Sequence, residues 1–433
     1  MSDVRGADST LRIAIVAACP FPSARGSQVL IRELAQALAA HGHEVHVVTY
    51  PYGENLVPLR RIHVHRGVSR PWSVTRYLPY LLKKLLLDFQ LIGTLSRVVR
   101  QHSIDVIHAH NYEGPLISYV VRRRWSVPIV YHSHNALGDE LAWYVRSRIL
   151  RPLARALGRF LDRHVPKHAD YSIALTPELG SYLGANGVPA CNLSVLPPGV
   201  SAQSEEEADG FQPLLGQAFV VLYAGNLDSY QDLAVLARGF KAFATTALEA
   251  RLVVVTHDPG GCSRLCPELD ELRRAGKLDV VIARSYSVAR RWMRRADALV
   301  CPRSSWSGYP IKLLNYLASG RPVVAAEGSA KGLTANVHAL VFCNGDHRGL
   351  AAALSQLYDE PSLGTRLAKE AKELVASLPT WEETAVVLEQ IYSQVCRKTR
   401  PAALPMSRSD NRPQGLIGIS RDRISAASGK RAG

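Results

Sequence analysis

Cysteine is sparse in this sequence, with seven residues in a chain of 433 and no repeated spacing among them. Cys262 and Cys266 form one close pair, whereas a zinc site built on cysteine needs a second pair of ligands. The cysteine pattern therefore argues against such a zinc site. It predicts reduced thiols in a cytosolic protein.

Long apolar runs are also missing. No segment approaches the roughly 20 apolar residues that a membrane-spanning helix requires. The first ten residues, MSDVRGADST, are polar, and the apolar run that follows them is too short and wrongly flanked for a secretion signal. We therefore expect neither a transmembrane helix nor a signal peptide.

Acidic residues are too few to balance the basic ones, and the imbalance is concentrated in one part of the chain. The formal net charge is +15, and residues 60–167 contain 19 Lys and Arg residues against 6 Asp and Glu residues. Such a surface suits anionic partners, namely lipid headgroups, phosphorylated substrates or nucleic acid; the alternative is a solvated basic surface. Because the chain has no stacking or helix-turn-helix signature, we expect no nucleic-acid partner.

Residues 71–100 combine apolar, aromatic and basic side chains. The residue types that suit a membrane interface are Trp72, Tyr77, Tyr80, Lys83 and Lys84. The alternative is an ordinary pair of helices packed on a sheet. We predict that this segment contacts an anionic membrane surface.

Short apolar runs alternate with helical patterns along most of the chain, which predicts an α/β fold of two doubly wound, Rossmann-like domains. We predict an N-terminal domain over residues 1–200, a C-terminal domain over 201–380, a closing helix over 381–398 and a disordered basic tail over 399–433. Residues 201–217 are polar and acidic, and read as a linker. Ligands of such folds bind beyond the carboxyl ends of the strands, here in the cleft between the domains.

Four histidines lie at the ends of two predicted strands in the N-terminal half, namely His108, His110, His132 and His134. Alternate residues of a strand face the same way, so two such pairs on adjacent strands could form a metal site. They could equally bring one or two imidazoles to a substrate, or be purely structural. No pair of carboxylates with metal-ligand spacing accompanies them, and we expect no metal.

A glycine, Gly26, opens the first predicted helix of the N-terminal half. Backbone N–H groups at a helix start can meet a phosphate or a substrate hydroxyl. The chain contains no G-x-G-x-x-G motif, so a dinucleotide site is not supported.

Polar residues also follow the first predicted strand of the C-terminal half, FVVLYAG. Gly225 lets the backbone approach a ligand, and Asn226 and Gln231 place polar groups at the mouth of the sheet. Ordinary turn chemistry is the alternative.

The stretch SSWSGYPIKLLNYLASGRPVVAA, residues 304–326, predicts a turn, a helix and a buried strand, with Pro310 at the first helical position. Lys312 and Asn315 lie three residues apart on one face of this helix, and Arg303 lies just upstream. The N–H groups and partial positive charge of a helix start attract phosphate. The alternative is a solvated lysine and a capping asparagine.

Together these segments resemble glycosyltransferase family 4, retaining enzymes of the GT-B fold, from about residue 11 to 396. The pieces occur in the family's order. The segments that carry the resemblance are PFPSARGSQ, DVIHAH, IVYHSHN, ALTPELGSYL, VLPPGV, VVLYAGNL, SGYPIKLLNYLASGRPVVAA and WEETAVVLEQIY.

The resemblance implies that a nucleoside-diphosphate sugar binds the C-terminal domain and a hydroxyl acceptor the N-terminal one, with no metal or cofactor. It implies that His134 contacts the donor sugar and that Gly26 lies near the diphosphate and acceptor. The residues expected to act in catalysis are His134, Gly26 and Lys312. Those expected to bind the donor are Gly225, Asn226, Gln231, Arg303, Ser307, Gly308, Tyr309, Pro310 and Asn315. On the acceptor side we expect Ser27, His110, Asn111 and His132.

The chain departs from the family pattern at its charged positions. Two family glutamates eight positions apart are replaced by Ser307 and Asn315, and the usual Arg and Lys on the diphosphate align with Asn226 and Gln231. Losing such a pair removes charge-assisted hydrogen bonds of roughly 1.5–3 kcal/mol each. The expected substitutes are Lys312, Arg303 and the N-terminus of the helix that follows.

We therefore predict a retaining hexosyltransferase that moves a sugar to a hydroxyl acceptor, lipid-linked or a precursor of a cell-surface glycan. We expect it in the cytosol, bound peripherally to the inner face of the membrane. No pair of carboxylates is required as nucleophile and acid, unlike in most glycosidases. The alternative is a GT-B protein without catalytic activity that acts as a binding or regulatory partner.

Overall fold

The computed structural model describes residues 10–23, 26–53, 60–67, 80–145, 147–200, 218–258, 260, 265–283 and 285–399. The predicted linker 201–217, the first part of the predicted membrane segment, 71–79, and residues 400–433 of the predicted tail lie outside the described residues. Cys262 lies outside them as well.

The N-terminal half alternates strands with helices. Its strands are β1 (Arg12–Ala17), β2 (Glu44–Thr49), β3 (Ile62–Arg66), β4 (Val106–His110), β5 (Ile129–Ser133), β6 (Tyr171–Ala174) and β7 (Leu193–Val195). Its helices are α1 (Gly26–Ala40), α2 (Tyr80–His102), α3 (Glu113–Trp125), α4 (Leu137–Glu140), α5 (Arg151–His164) and α6 (Pro177–Ala185).

The C-terminal half repeats the pattern. Its strands are β8 (Val220–Ala224), β9 (Arg251–Thr256), β10 (Leu278–Ile282), β11 (Ala298–Cys301), β12 (Val323–Ala326) and β13 (Leu340–Phe342). Its helices are α7 (Leu233–Phe243), α8 (Pro267–Arg274), α9 (Tyr286–Arg295), α10 (Ile311–Ala318), α11 (His347–Asp359), α12 (Pro361–Ala376) and α13 (Trp381–Thr399).

Both sheets are parallel and doubly wound. The first has seven strands in the order β3-β2-β1-β4-β5-β6-β7, and the second has six in the order β10-β9-β8-β11-β12-β13. Helices cover both faces of such sheets, which is why central strands such as β5 and β8 are buried along their whole length. This architecture confirms the predicted fold class. The strand order reverses between β1 and β4 and between β8 and β11, and these switch points are where such folds bind ligands.

The last helix joins the two halves. Trp381, Leu388 and Tyr392 of α13 are buried in the apolar core of the N-terminal half, beside strands β1 and β2 and helix α1. The chain also passes between the halves near Val200, whose N–H donates to Pro379 O at 2.9 Å. The two passages of the chain therefore lie side by side.

Two local predictions need adjustment. Pro310 precedes helix α10 as its N-cap, in an extended conformation, and does not occupy the first helical position. The seventh strand covers only three of the eight predicted residues, because the prolines at 197 and 198 follow it and cannot donate to a sheet ladder. No helix among the described residues combines the length and apolar character needed to cross a membrane.

Candidate active site

The loops at the two switch points face each other across a small cavity of about 50 Å³. The cavity is lined by Ser27, Leu30, His134, Asn135, Leu175, Arg303, Gly308, Tyr309 and Ile311. Ser27 lies in the first turn of α1, His134 directly follows β5, and Arg303 follows β11. Five of the predicted site residues, from segments far apart in the sequence, therefore meet at one place.

The two halves touch at Gly308. Its φ is +79°, a left-handed conformation that glycine adopts without strain. A Cβ at this position would lie 2.9 Å from the carbonyl oxygen of His134 and 3.3 Å from Cβ of Asn135. Gly26 makes a looser contact, since a Cβ there would lie 3.5 Å from Cγ1 of Ile311. Small residues thus allow the N-terminal loops to approach the start of α10.

The four histidines form two hydrogen-bonded pairs. Nδ1 of His110 lies 2.9 Å from Nε2 of His134, and Nε2 of His108 lies 3.1 Å from Nδ1 of His132. Nδ1 of His108 lies 2.6 Å from the hydroxyl of Tyr392, on helix α13. The closing helix thereby fixes the orientation of the rings behind the cavity. The predicted common facing of alternate strand residues is confirmed, because the rings of His108 and His110 stack with centroids 4.4 Å apart.

Burial keeps these imidazoles uncharged. It lowers the pKa of His134 to about 3, and it lowers the pKa of His108 to about 3 with a smaller contribution from His134. The pKa values of His110 and His132 are lowered well below the usual range, again mainly by burial. Near neutral pH, His134 therefore offers the cavity a neutral hydrogen-bonding ring and no positive charge.

Lys312 is a half-buried cation with neutral partners. Its Nζ donates to Oε1 of Gln231 at 2.5 Å and lies 4.1 Å from the centroid of the Tyr223 ring. Lys312 forms no ion pair within the described part of the chain. Burial, more than the nearby charge of Arg303, lowers its pKa to about 8. Its positive charge is therefore not neutralised by a carboxylate and is available to an anion.

Buried tyrosines place Lys312 beside the loop after β8. The hydroxyl of Tyr316, one turn after Lys312 on α10, bonds both the N–H and the C=O of Ala224, at 2.7 and 3.0 Å. A side chain at the neighbouring Gly225 would be crowded, since its Cβ would lie 3.0 Å from the hydroxyl of Tyr223. The predicted site residues Gly225, Gln231 and Lys312 are thus adjacent.

Arg303 adds a second cation to this wall. Its Nη2 donates to the carbonyl of Ser307 at 3.0 Å and to Oγ of Ser305 at 3.3 Å, and its guanidinium lies 5.4 Å from the centroid of the Tyr230 ring. Its Nε is buried and has no hydrogen-bond partner among the described residues. Oδ1 of Asn226 is likewise buried and unpaired there, while its Nδ2 donates to Tyr230. The Nε–H of Arg303 can therefore donate a hydrogen bond to a ligand, and Oδ1 of Asn226 can accept one.

A carboxylate from the N-terminal half reaches the donor-side turn. Asp139 of α4 accepts hydrogen bonds from Oγ of Ser305 at 2.7 Å and from Oγ of Ser307 at 2.9 Å. Ser307 is therefore occupied by Asp139 and does not line the cavity. Asp139 follows His134 by five residues in the sequence, but no local pattern shows that its helix faces residues more than 160 positions away.

Helix α5 fixes the position of Asp139. Asp162 of α5 accepts the N–H groups of Leu137 and Gly138, at 2.9 and 2.8 Å, at the start of α4. Gly158 lets the two helices meet, since a Cβ on it would lie 2.6 Å from the carbonyl of Leu137. The carboxylate that bridges the cleft thus rests on a rigid support.

Lys331 is a second residue that the sequence analysis missed. It is 8% exposed, its Nζ donates to the carbonyl of Trp306 at 2.5 Å, and Glu178 of the other half lies 3.8 Å away. Burial lowers its pKa. The signal was available, because Lys331 lies in the small-residue loop GSAKG that follows strand β12.

Other predicted residues lie behind or beside the cavity. His110 and His132 are completely or almost completely buried behind His134, and Asn111 turns away from the strand with a φ of +56°. Asn315 is half-buried, and its side chain makes no hydrogen bond within the described residues. Ligand nitrogens of His108, His110 and His132 lie within 4.8 Å of one another, close enough for a metal, but both nitrogens of His108 already have hydrogen-bond partners.

The two facing Rossmann-like halves, with polar loops at both switch points, have the GT-B architecture. The sequence profile of Glycosyltransferase Family 4 matches residues 24–204, and that of Glycosyl transferases group 1 matches residues 218–360. In both halves, the chain is therefore similar to the glycosyltransferases of family 4.

Known proteins support this assignment along most of the chain. A D-inositol 3-phosphate glycosyltransferase of Thermomonospora curvata is 29% identical over 402 residues, which cover 86% of this chain and 90% of that protein. The structure of a sucrose-phosphate synthase from Thermosynechococcus elongatus aligns with a TM-score of 0.75 at 19% identity, over 90% of this chain and 100% of that one. Anabaena Alr3699/HepE in complex with UDP-glucose aligns with a TM-score of 0.65 at 15% identity, over 90% and 100% of the two chains.

Proposed function

We propose that this glycosyltransferase transfers a hexose from a nucleoside-diphosphate sugar to a hydroxyl acceptor, with retention of configuration. The observation that carries the proposal is the pair of cations on the C-terminal wall, Lys312 and Arg303, which have only neutral hydrogen-bond partners among the described residues. A diphosphate is the anionic group that such a pair would stabilise.

The donor diphosphate would lie against the start of α10. Gln231 aligns with the lysine that the family usually has after the first strand of the C-terminal half. Nζ of Lys312, on helix α10, contacts Gln231 and so brings a positive charge close to where the family lysine would lie. The N–H groups that open α10 add their partial positive charge. The proposal that these groups replace the missing Arg and Lys is supported by this proximity. The complex of Anabaena Alr3699/HepE with UDP-glucose supports a nucleotide sugar as the donor.

In the proposed reaction, the bond between the anomeric carbon and the diphosphate oxygen breaks, and its electron pair goes to the diphosphate. The acceptor oxygen forms the new bond on the same face of the sugar, and its proton passes to the leaving diphosphate. Lys312 and Arg303 would stabilise the leaving group's charge, while the neutral His134 would hold a sugar hydroxyl. Catalysis here is positioning and charge stabilisation, with no metal and no cofactor proposed.

The donor can be identified by ligand-induced stabilisation. The full-length protein would be screened by thermal shift against UDP, GDP, ADP and their sugars, since a ligand that binds the native state raises its stability. We expect one nucleotide series to raise the melting temperature, and the same sugar nucleotide to be hydrolysed or transferred. Binding without any turnover would favour the alternative of a catalytically silent partner protein, and no binding at all would contradict the proposed donor class.

We also propose that the acceptor lies at an anionic membrane surface, and that helix α5 contacts it. Apolar side chains run along the outer face of this region, with Leu153 68% and Phe160 57% exposed. The apolar row comprises Ile149, Leu150, Leu153, Leu157 and Phe160, and the basic row beside it comprises Arg151, Arg155, Arg159 and Arg163. An exposed apolar stripe flanked by arginines suits the interface of an anionic bilayer.

The predicted membrane segment fits this proposal less directly. Helix α2 exposes Leu82, Leu85 and Phe89, but Lys84 is turned inward and forms an ion pair with the buried Glu113. We therefore assign the membrane contact to helix α5, which also supports Asp139 at the cleft.

Flotation with vesicles tests the membrane proposal. The wild-type protein should float with vesicles that contain phosphatidylglycerol, and 0.5 M salt (about a threefold shorter screening length than low-salt buffer) should weaken this. Leu153→Asp and Phe160→Asp should lose most of the binding, while Leu248→Asp, an equally exposed leucine of the C-terminal half, should retain it. Equal flotation of all three variants would contradict the assignment to α5.

A further inference from the structure

A second group of histidines lies at the edge of the first sheet, remote in sequence from the loops of the cleft. His46 is on β2, His63 and His65 are on the edge strand β3, and His102 is the last residue of α2. In the sheet register His46 pairs with His63, and Val48 pairs with His65. Helix α2 therefore ends over the face of the two strands that carries these rings.

The rings are close enough to share one ion. Ligand nitrogens of His46, His65 and His102 all lie within 4.8 Å of one another. Nδ1 of His46 lies 3.0 Å from Nε2 of His65, and the ring centroids of His46 and His102 are 4.3 Å apart. Two nitrogens bound to one tetrahedral zinc, with bonds of about 2.0–2.1 Å, lie about 3.3 Å apart.

The surroundings favour ligation through Nδ1 of His46. This ring is completely buried, and its Nε2 makes no hydrogen bond among the described residues. The nearest carboxylate oxygen, Oε1 of Glu44, lies 3.3 Å from that Nε2. A modest rotation of the ring would complete a carboxylate–histidine–metal arrangement, in which the carboxylate orients the ligand and raises its basicity.

We propose that His46, His65 and His102 form a zinc site that ties the C-terminal end of helix α2 to the edge strands β2 and β3. Imidazole nitrogen is a preferred ligand of Zn²⁺, and three such ligands leave one coordination position for water or for a neighbouring group such as His63. The site lies on a different part of the sheet from the cleft, so its role is to stabilise this edge and not to act in sugar transfer.

The test uses the full-length protein, stripped of metal with EDTA, dialysed and titrated with Zn²⁺ against a chromophoric chelator. We expect one Zn²⁺ per chain. His65→Ala and His102→Ala should each weaken binding at least tenfold, since each removes a ligand from a half-buried position. His164→Ala, an exposed histidine of α5, is the matched control and should bind like the wild type.

A second measurement reports geometry and does not depend on the variants. Co²⁺ added to the stripped wild-type protein should give the visible absorption of a four-coordinate site with nitrogen ligands, and Zn²⁺ should displace it. Zn²⁺ should also raise the melting temperature of the wild type and of His164→Ala, but not of the ligand variants. Where an alanine variant does not fold, His65→Gln and His102→Gln take its place.

The proposal is overturned by either of two results. One is a wild-type protein that takes up no stoichiometric Zn²⁺ and shows no four-coordinate Co²⁺ spectrum. The other is Zn²⁺ binding that is unchanged in the folded His65 and His102 variants, which would place the metal elsewhere, for example at the buried histidines of the cleft. Neither result depends on a glycosyltransferase assay.

Discussion

The two walls of the cleft have opposite electrostatic characters. The N-terminal wall presents His134, held by a ladder of buried neutral imidazoles, whereas the C-terminal wall presents Lys312 and Arg303, held by amide, hydroxyl, carbonyl and aromatic groups. Burial makes the N-terminal wall neutral, because it lowers the pKa of His134 to about 3. Burial also lowers the pKa of Lys312 on the C-terminal wall, but only to about 8, so the lysine keeps its charge near neutral pH. The difference indicates that the C-terminal wall would bind the donor's diphosphate, whereas the N-terminal wall would bind neutral sugar hydroxyls.

Removing the charge of Lys312 should reduce activity more than any other single change to the two walls. Lys312→Met keeps the length of the side chain and removes a charge-assisted contact of about 1.5–3 kcal/mol, so kcat/KM for the sugar nucleotide should fall about 12- to 150-fold. Steady-state kinetics with the donor found by thermal shift would measure this. Lys369→Met, at an exposed lysine on α12, is the control and should be unchanged. Wild-type kinetics in Lys312→Met would remove Lys312 from the site.

The pH dependence of donor binding should sharpen the same contrast. Lys312, with its pKa lowered to about 8, is charged below that pH and loses its proton above it. Because a bound diphosphate needs the charged form, KM for the donor should rise above pH 8, approaching tenfold per pH unit. Lys312→Arg keeps the charge at all these pH values and should flatten the rise. An equal rise in both proteins would assign the titration to another group.

The hydrogen bonds from Ser305 and Ser307 to Asp139, which join the two walls, should contribute somewhat less to kcat/KM than Lys312 does. Asp139→Ala removes the acceptor for two serine hydroxyls of the donor turn, so we expect about a tenfold loss in kcat/KM, mostly through KM. Asp139→Asn retains one acceptor oxygen and should lose less. Kinetics of the two variants side by side measure this. Identical losses would indicate that the charge of Asp139, and not its hydrogen bonds, is what the turn requires.

The neutral wall should give a smaller effect. His134→Ala removes a neutral hydrogen-bonding group worth about 0.5–1.5 kcal/mol, so kcat/KM should fall about 2- to 12-fold, without a new pH dependence between pH 6 and 8. A pH–rate profile of the wild type and variant would check this. A loss that appeared only at low pH would mean that His134 acts as a cation, against its lowered pKa.

Tyr392→Phe should affect activity least and stability most. It leaves Nδ1 of the buried His108 without its partner, which should lower the free energy of unfolding by about 1–3 kcal/mol. Urea denaturation of the variant and the wild type would measure the change. Unchanged stability would mean that the contact between α13 and the histidine ladder contributes nothing net.

The sequence predicted the architecture well because its signals are local. Strands such as FVVLYAG and helices such as the one after Pro310 follow from short-range patterning, and switch-point loops follow from strand order. The resemblance to a known family added the site residues Ser27, His134, Arg303, Gly308 and Tyr309, and the structure places these five around one cavity.

What escaped the sequence depends on contacts between distant segments. Asp139 reaches Ser305 from the other half of the molecule, and the contact between the rings of His46 and His65 joins two neighbouring strands. The neutral state of the histidines was equally inaccessible, because it depends on how completely the surrounding helices exclude water. Residue type suggested the chemistry of these groups, but only burial decides their charge.

The paired passages of the chain near Val200 and Pro379 constrain how the enzyme can work. A cavity of about 50 Å³ is far smaller than the roughly 300 Å³ or more of a typical ligand pocket, so a sugar nucleotide must enter through a wider gap. Because Val200 and Pro379 are hydrogen-bonded to each other, the halves could open by rotation about this edge without separating the two passages. Such a rotation would have to break the hydrogen bonds that Ser305 and Ser307 donate to Asp139 across the cleft.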